Sequence, residues 1–178
     1  MQEIRDIFKD LKLTFYLVDG ALLGAVREKN FLKWDWDVEL AVFSEIAIKE
    51  LDKIKAKSTD SGFEAKIIDS SIGNLKINLH KYDTKYTIVG LYKKKEYRLR
   101  KSFKYPAKFF DNATSIHFLG KNYLAPAPTD EFLTFIYGVD WQVPKMASIK
   151  EEYLSKEVFN LTWVQKIKRS IKLFFHLS

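Results

Sequence analysis

Apolar positions change period several times along the chain, and each change marks an element. Ile4, Ile7, Phe8 and Leu11 recur at helical spacing and predict an amphipathic helix over residues 2–12. Residues 14–18 are β-branched and aromatic, a first strand. Residues 21–28 read as a helix opened by the Asp19-Gly20 turn, and residues 36–43 alternate as a second strand. Ser44 is the expected N-cap of a helix to about Lys57 that turns Ile46, Leu51 and Ile54 inward. Strands follow over residues 63–68, 75–82 and 87–92, then shorter ones over 104–110, 115–119 and 123–125.

Residues 125–128, Ala-Pro-Ala-Pro, form a stiff extended turn into a helix over 130–137, with Thr129 as its cap and Gly138 as its stop. Ser148 with Glu151 makes a capping box for a further helix. A last helix over about 160–176 sets Val164, Ile167, Ile171, Phe174 and Phe175 on one side and four cations mostly on the other. Helices and strands in this order predict an α+β domain, a mixed sheet with helices packed mainly on one side. The 178 residues fit one compact domain over 1–146 and a helical extension over 147–178.

Composition narrows the class. Aromatics reach 15% and hydrophobics 47%, which is globular, not disordered. With no cysteine, a disulfide framework and a thiolate zinc site are excluded. The acidic opening, Met1 to Asp6, does not read as a signal peptide, and no run reaches the roughly 18 apolar residues of a membrane span. A cytoplasmic protein is expected.

The net charge of +7 is unevenly spread. Residues 85–108 carry nine cations against the single acid Glu96, and the tail after Asn160 carries Lys166, Lys168, Arg169 and Lys172 with no acid. An anionic partner fits: a phosphate substrate or an acidic lipid surface. The C-terminal helix either packs on the domain or lies peripherally on an anionic membrane with Trp163 at the interface. Nucleic acid is not expected, because no recognised module accompanies the basic stretch.

The sharpest chemical signal is Asp35, Asp37 and Glu39 at alternate positions. On a strand over 36–42 they share one face and leave Trp36, Val38 and Leu40 on the other. Carboxylates so placed repel each other unless a cation lies between them. A divalent metal holding phosphate answers this, since Mg²⁺ takes oxygen ligands and is usually bound by one or two carboxylates plus substrate phosphates.

The run from Leu17 through Asp19-Gly20-Ala21-Leu22-Leu23-Gly24 to Arg27, then Trp34-Asp35-Trp36-Asp37-Val38-Glu39, resembles the LicD/fukutin family. That family's pattern is a Gly-(Thr/Ser)-Leu-Leu-Gly turn, an arginine, then Trp-Asp-x-Asp-(Ile/Val)-Asp. Residues 75–82 resemble the family strand that carries a further Asp. Tyr105-Pro106, residues 118–126, Tyr137-Gly138, Asp140-Trp141 and Pro144 continue the register.

The resemblance implies a nucleotidyltransferase-type fold and transfer of a phospho-alcohol from a CDP-activated donor (CDP-choline, CDP-ribitol or CDP-glycerol) to a glycan hydroxyl, with CMP released. It implies Mg²⁺ or Mn²⁺ held by Asp35, Asp37 and Glu39, with Asp37 and Glu39 the stronger pair. Arg27 would pair with phosphate, and Gly20 and Gly24 would let the backbone approach it, in a substrate-binding turn that includes Asp19 and Leu23. The proton acceptor would be one of the three acids, unless metal activation suffices. A lipid-linked glycan would suit a domain at the inner face of a membrane.

Three positions depart from the pattern. The third family acid falls on Asn78, Glu39 stands for the usual Asp, and Ala21 for the usual Thr or Ser. Asn78 and its neighbour His80 are placed with the substrate-binding residues, and packing is the plainer role for His80. Tyr105, Tyr137 and Trp141 are expected to pack the core. Three readings stay open: the phosphotransferase, a true nucleotidyltransferase, and a catalytically degenerate scaffold.

Overall fold

The computed structural model describes residues 1–33, 35–144, 154–155 and 158–159. The expected capping box at Ser148 and helix over 160–176 lie outside the described residues. Helix α1 spans Gln2–Asp10, β1 Tyr16–Leu17, α2 Asp19–Leu23 and β2 Asp37–Phe43. Then come α3 Ser44–Ala47, α4 Leu51–Asp60, β3 Glu64–Asp69, β4 Lys76–Lys81 and β5 Thr84–Lys94. The remainder is β6 Tyr97–Arg100, β7 Phe103–Pro106, α5 Lys108–Asp111, β8 Thr114–Phe118, β9 Lys121–Ala125 and α6 Thr129–Tyr137.

The main path of the sheet runs β3-β4-β5-β2-β1-β9-β8, and β6 and β7 extend from the far end of β5. Pairs β2–β5 and β1–β9 are parallel and the rest antiparallel, the mixed sheet of an α+β domain.

Alternation assigns the faces. Val38, Leu40, Ile77, Leu79 and Ile88 point to one side and are buried there. Tyr86 shares that side, and its hydroxyl accepts the Met1 amino group at 3.0 Å, which ties α1 down. Burying Ile4, Ile7 and Phe8 of α1 contributes about 1.5–3 kcal/mol per side chain. The opposite face carries Asp37, Glu39, Ala41 and Phe43. Its far half is roofed by α5 and α6, where Phe110 stacks edge-on against Tyr16 (5.4 Å) and Phe132 (5.7 Å). Helices therefore cover both faces, because Tyr16 and Phe43 need shelter that α1 and α4 cannot reach.

Several local expectations are corrected. Ser44 opens α3 but does not cap it; its hydroxyl is fully buried, with Gly90 passing so close that a Cβ there would lie 2.3 Å from it. The helix after it breaks into α3, a 3₁₀ turn Ile48–Glu50 and α4, and Ile46 faces solvent at 54% exposure. The strand expected over 104–110 stops at Pro106, and α5 follows, because Phe109 and Phe110 both turn into the core. Thr129 is the first residue of α6, and its hydroxyl donates to the Pro126 carbonyl at 2.9 Å instead of capping the helix. Gly138 ends α6 at φ +92°, as expected of a C-terminal glycine. Tyr105, Tyr137 and Trp141 are buried, as expected.

Candidate functional site

Strand register arranges the site as a grid. Asp37 pairs with Lys85 and Lys85 with His80; Glu39 pairs with Thr87 and Thr87 with Asn78. Two rows of three side chains thus stand on one face of β2, β5 and β4. The Thr87 hydroxyl donates to Asp37 Oδ2 at 2.8 Å, and Lys85 Nζ lies 3.4 Å from the same oxygen. Asn78 Oδ1 and His80 Nδ1 are buried with no hydrogen-bond partner among the described residues. A buried amide oxygen with no partner is uncommon in a folded chain, and this one stands in the row of Glu39 with Thr87 between them.

Asp35 lies ahead of the strand, so strand alternation does not set its direction. The ladder begins at Asp37, so Asp35 and Trp36 precede it. Trp36 is 81% exposed instead of lying with Val38 and Leu40. The Asp35 carboxylate rests on the Gly20 backbone, where a Cβ would stand 1.9 Å from Oδ2. An alanine at 20 would push that carboxylate aside.

β1 runs antiparallel to β2, with Leu17 opposite Leu40, and so delivers the Asp19-Gly20 turn beside the start of β2. Asp19 sits at φ +48° and is almost fully buried, a conformation that Asp tolerates better than most residues. Its Oδ2 accepts Arg100 Nη2 at 3.1 Å. Burial works against the Arg100 charge, but Tyr105, Asp19 and Glu39 outweigh it and raise the pKa above the ordinary arginine value. Arg100 therefore ties the turn to the acid strand. In the sequence Arg100 is one of nine cations in residues 85–108, and its one signal is the Arg-x-Arg spacing of Arg98 and Arg100.

Other expected site residues have different surroundings. Leu23 is in the core. At Gly24 a Cβ would meet the Asn30 carbonyl at 2.6 Å, so the space this glycine leaves is filled by the chain's own backbone. Gly24 also begins a π-helical turn, Gly24–Glu28. Arg27 donates to Glu28 at 2.8 Å and to the Trp141 carbonyl at 3.1 Å, pinning the turn after α6.

Cations crowd the acids. The Lys76 pKa is lowered by burial first and then by Lys85 and Lys101, with Asp37 partly offsetting them. Asp69, at the end of β3, accepts from Ser71 N and Oγ at 2.8 and 2.7 Å and is committed to its own turn. A separate depression of about 500 Å³, lined by Ala25, Val26, Lys29, Ile116, His117 and Thr129, contains none of the acids.

No three His, Cys, Asp or Glu side chains converge as a metal cluster among the described residues. The oxygen set is instead two carboxylates, Asp37 and Glu39, with the orphaned Asn78 Oδ1 in the same row as Glu39. Carboxylate and amide oxygens are the ligand chemistry that a hard divalent cation takes, completed by water and phosphate. Among the described residues no helix is long and apolar enough to cross a membrane.

Residues 12–128 match the family model described as LicD/FKTN/FKRP, nucleotidyltransferase domain. No curated protein matches the chain. It is similar to the solution structure of the antibiotic-resistance factor ANT(2'')-Ia, at 11% identity and a TM-score of 0.49, over 70% of this chain and 62% of that one. A crystal structure of ANT(2'')-Ia in complex with adenylyl-2''-tobramycin gives 10% identity and a TM-score of 0.48, over 71% and 66%. The chain thus spans less than two thirds of either of those proteins.

Proposed function

Since this chain belongs to the LicD/FKTN/FKRP family, we propose that it is a divalent-metal-dependent phosphotransferase. It moves choline, ribitol or glycerol phosphate from a CDP-linked donor to a glycan hydroxyl and releases CMP. The observation that carries this reading is the grid of Asp37, Glu39 and the orphaned Asn78 oxygen on one sheet face, with Lys85 beside Asp37.

Asp37 and Glu39 would hold Mg²⁺ or Mn²⁺, with Asn78 Oδ1 as a neutral third oxygen. A metal so bound would neutralise the diphosphate of the donor. Thr87 fixes the Asp37 carboxylate by donating to it, so that the acid meets its ligand already oriented. The Lys85 ammonium, within reach of Asp37, would follow the phosphate. Arg100 holds the Asp19-Gly20 turn against Glu39, and Gly20 accommodates Asp35. The acceptor oxygen bonds to the phosphorus of the phospho-alcohol, the diphosphate P–O bond breaks, CMP takes the electron pair, and one of the three acids takes the hydroxyl proton.

The test is CMP release from CDP-choline, CDP-ribitol and CDP-glycerol with Mg²⁺. Asp37→Asn is expected to abolish release while circular dichroism stays unchanged; full activity in that variant overturns the metal assignment. The family description, a nucleotidyltransferase domain, supports one rival. Nucleotide label appearing on the acceptor, instead of in free CMP, would establish it.

A further inference from the structure

Trp36 is 81% exposed and immediately precedes the acid Asp37. It occupies the unspecified position of the Trp-Asp-x-Asp pattern, so nothing in that pattern accounts for an indole here. The ring is outside the core because the ladder starts one residue later, opposite Lys85. Lys85 Nζ lies 5.2 Å from the centre of the Trp36 ring and 3.4 Å from Asp37 Oδ2. One ammonium therefore bridges an open π face and the acid at which phosphate is proposed to bind. The ring centre is no farther from that carboxylate than those two distances end to end, within the reach of a nucleotide from its phosphate to its base. Among the described residues the other exposed aromatic ring is Tyr82, also 81% exposed, in the tight turn joining β4 to β5 at this same end of the sheet.

We propose that the Trp36 indole is the stacking face for the base of a nucleotide whose phosphates lie at Asp37 and Lys85. Each element of such a ligand has its counterpart: phosphate for the Lys85 ammonium and a flat ring for the indole. As Lys85 turns from the ring to the phosphate, the base takes the place of the ammonium over the π face. A neutral sugar can lay its C–H face on the indole but brings no charge for Lys85, whereas a nucleotide answers both groups. This inference rests on the proposed nucleotide-linked donor and adds the residue that binds its base.

Calorimetric titration of the full chain with CDP, UDP, ADP and inorganic pyrophosphate in Mg²⁺ tests it, using Trp36→Ala and Trp36→Phe. Loss of base stacking is expected to weaken CDP binding roughly tenfold to a hundredfold in Trp36→Ala. Trp36→Phe should stay within a few fold of the parent, and pyrophosphate affinity should be the same in all three proteins. Unchanged CDP affinity in Trp36→Ala overturns the inference and leaves the phosphotransferase reading standing. Equal loss of pyrophosphate affinity overturns it too, since the ring would then act only by shaping the acid strand. A raised KM for the glycan with CDP binding intact assigns the ring to the acceptor and overturns it. If UDP or ADP shows the Trp36 dependence and CDP does not bind, the stacking role holds and the cytidine donor falls. If no nucleotide binds, both fall.

Discussion

Asp19 and Arg100, 81 residues apart in sequence, meet at 3.1 Å in the interior beneath the acid strand. Both are under a tenth exposed. The pair matters beyond its own contact, because the Arg100 charge also answers Glu39. It locks the Asp19-Gly20 turn and the β2 acids into one unit.

Removing the cation takes the ion-pair partner from the buried Asp19 carboxylate. Arg100→Met is expected to cost about 3–5 kcal/mol of unfolding free energy. Asp19→Asn, which keeps an acceptor and tolerates positive φ, should cost less. Urea denaturation of both variants checks the order, and a larger loss in Asp19→Asn would contradict it.

Gly20 and Gly90 are both crowded, with different consequences. An alanine at 20 meets the mobile end of Asp35, so Gly20→Ala should leave the melting temperature nearly unchanged while displacing the carboxylate and lowering CMP release. An alanine at 90 meets Ser44 Oγ at 2.3 Å and the Leu75 Cβ at 2.5 Å. Gly90→Ala should therefore destabilise by about 1–3 kcal/mol through overpacking. Thermal unfolding and turnover, measured on both, separate the two effects.

Asn78→Asp would place a third carboxylate in the row of Thr87 and Glu39. Ligand charge sets divalent affinity, so Mn²⁺ should bind about tenfold tighter. Electron paramagnetic resonance titration of free Mn²⁺ measures this. An unchanged affinity would show that position 78 faces no metal.

Lys76 gives a pH prediction. Its folded pKa lies below the ordinary value of 10.5, so the charged form is disfavoured in the fold. Between the folded value and 10.5 the unfolded chain binds more protons, and stability from this group rises with pH. Lys76→Met should therefore raise the melting temperature near neutrality, with the gain fading as pH climbs toward 10.5. A gain that grows with pH would reverse the assignment.

The elements that follow a single period were readable from the residues. Helix α1 appears where Ile4, Ile7 and Phe8 recur, β2 and β4 lie where apolar residues alternate, and β5 covers a β-branched and apolar run, since these are local patterns. The Asp37–Glu39 pair and the family register were legible for the same reason. The π-helical turn at Gly24 and the turn of helix at Phe109–Phe110 were not, because tertiary contacts, not propensity, choose between a strand and a helical turn in short apolar runs.

By itself the sequence determined the α+β class, the family and which acids share a strand face once the strand exists. Only the tertiary structure decided where that strand begins. Lys85 of β5 offers a ladder partner to Asp37 and leaves Trp36 in solvent and Asp35 on the Gly20 backbone. It also decided that Arg100 would close the site, because a buried charge finds its partner through space and not through spacing along the chain.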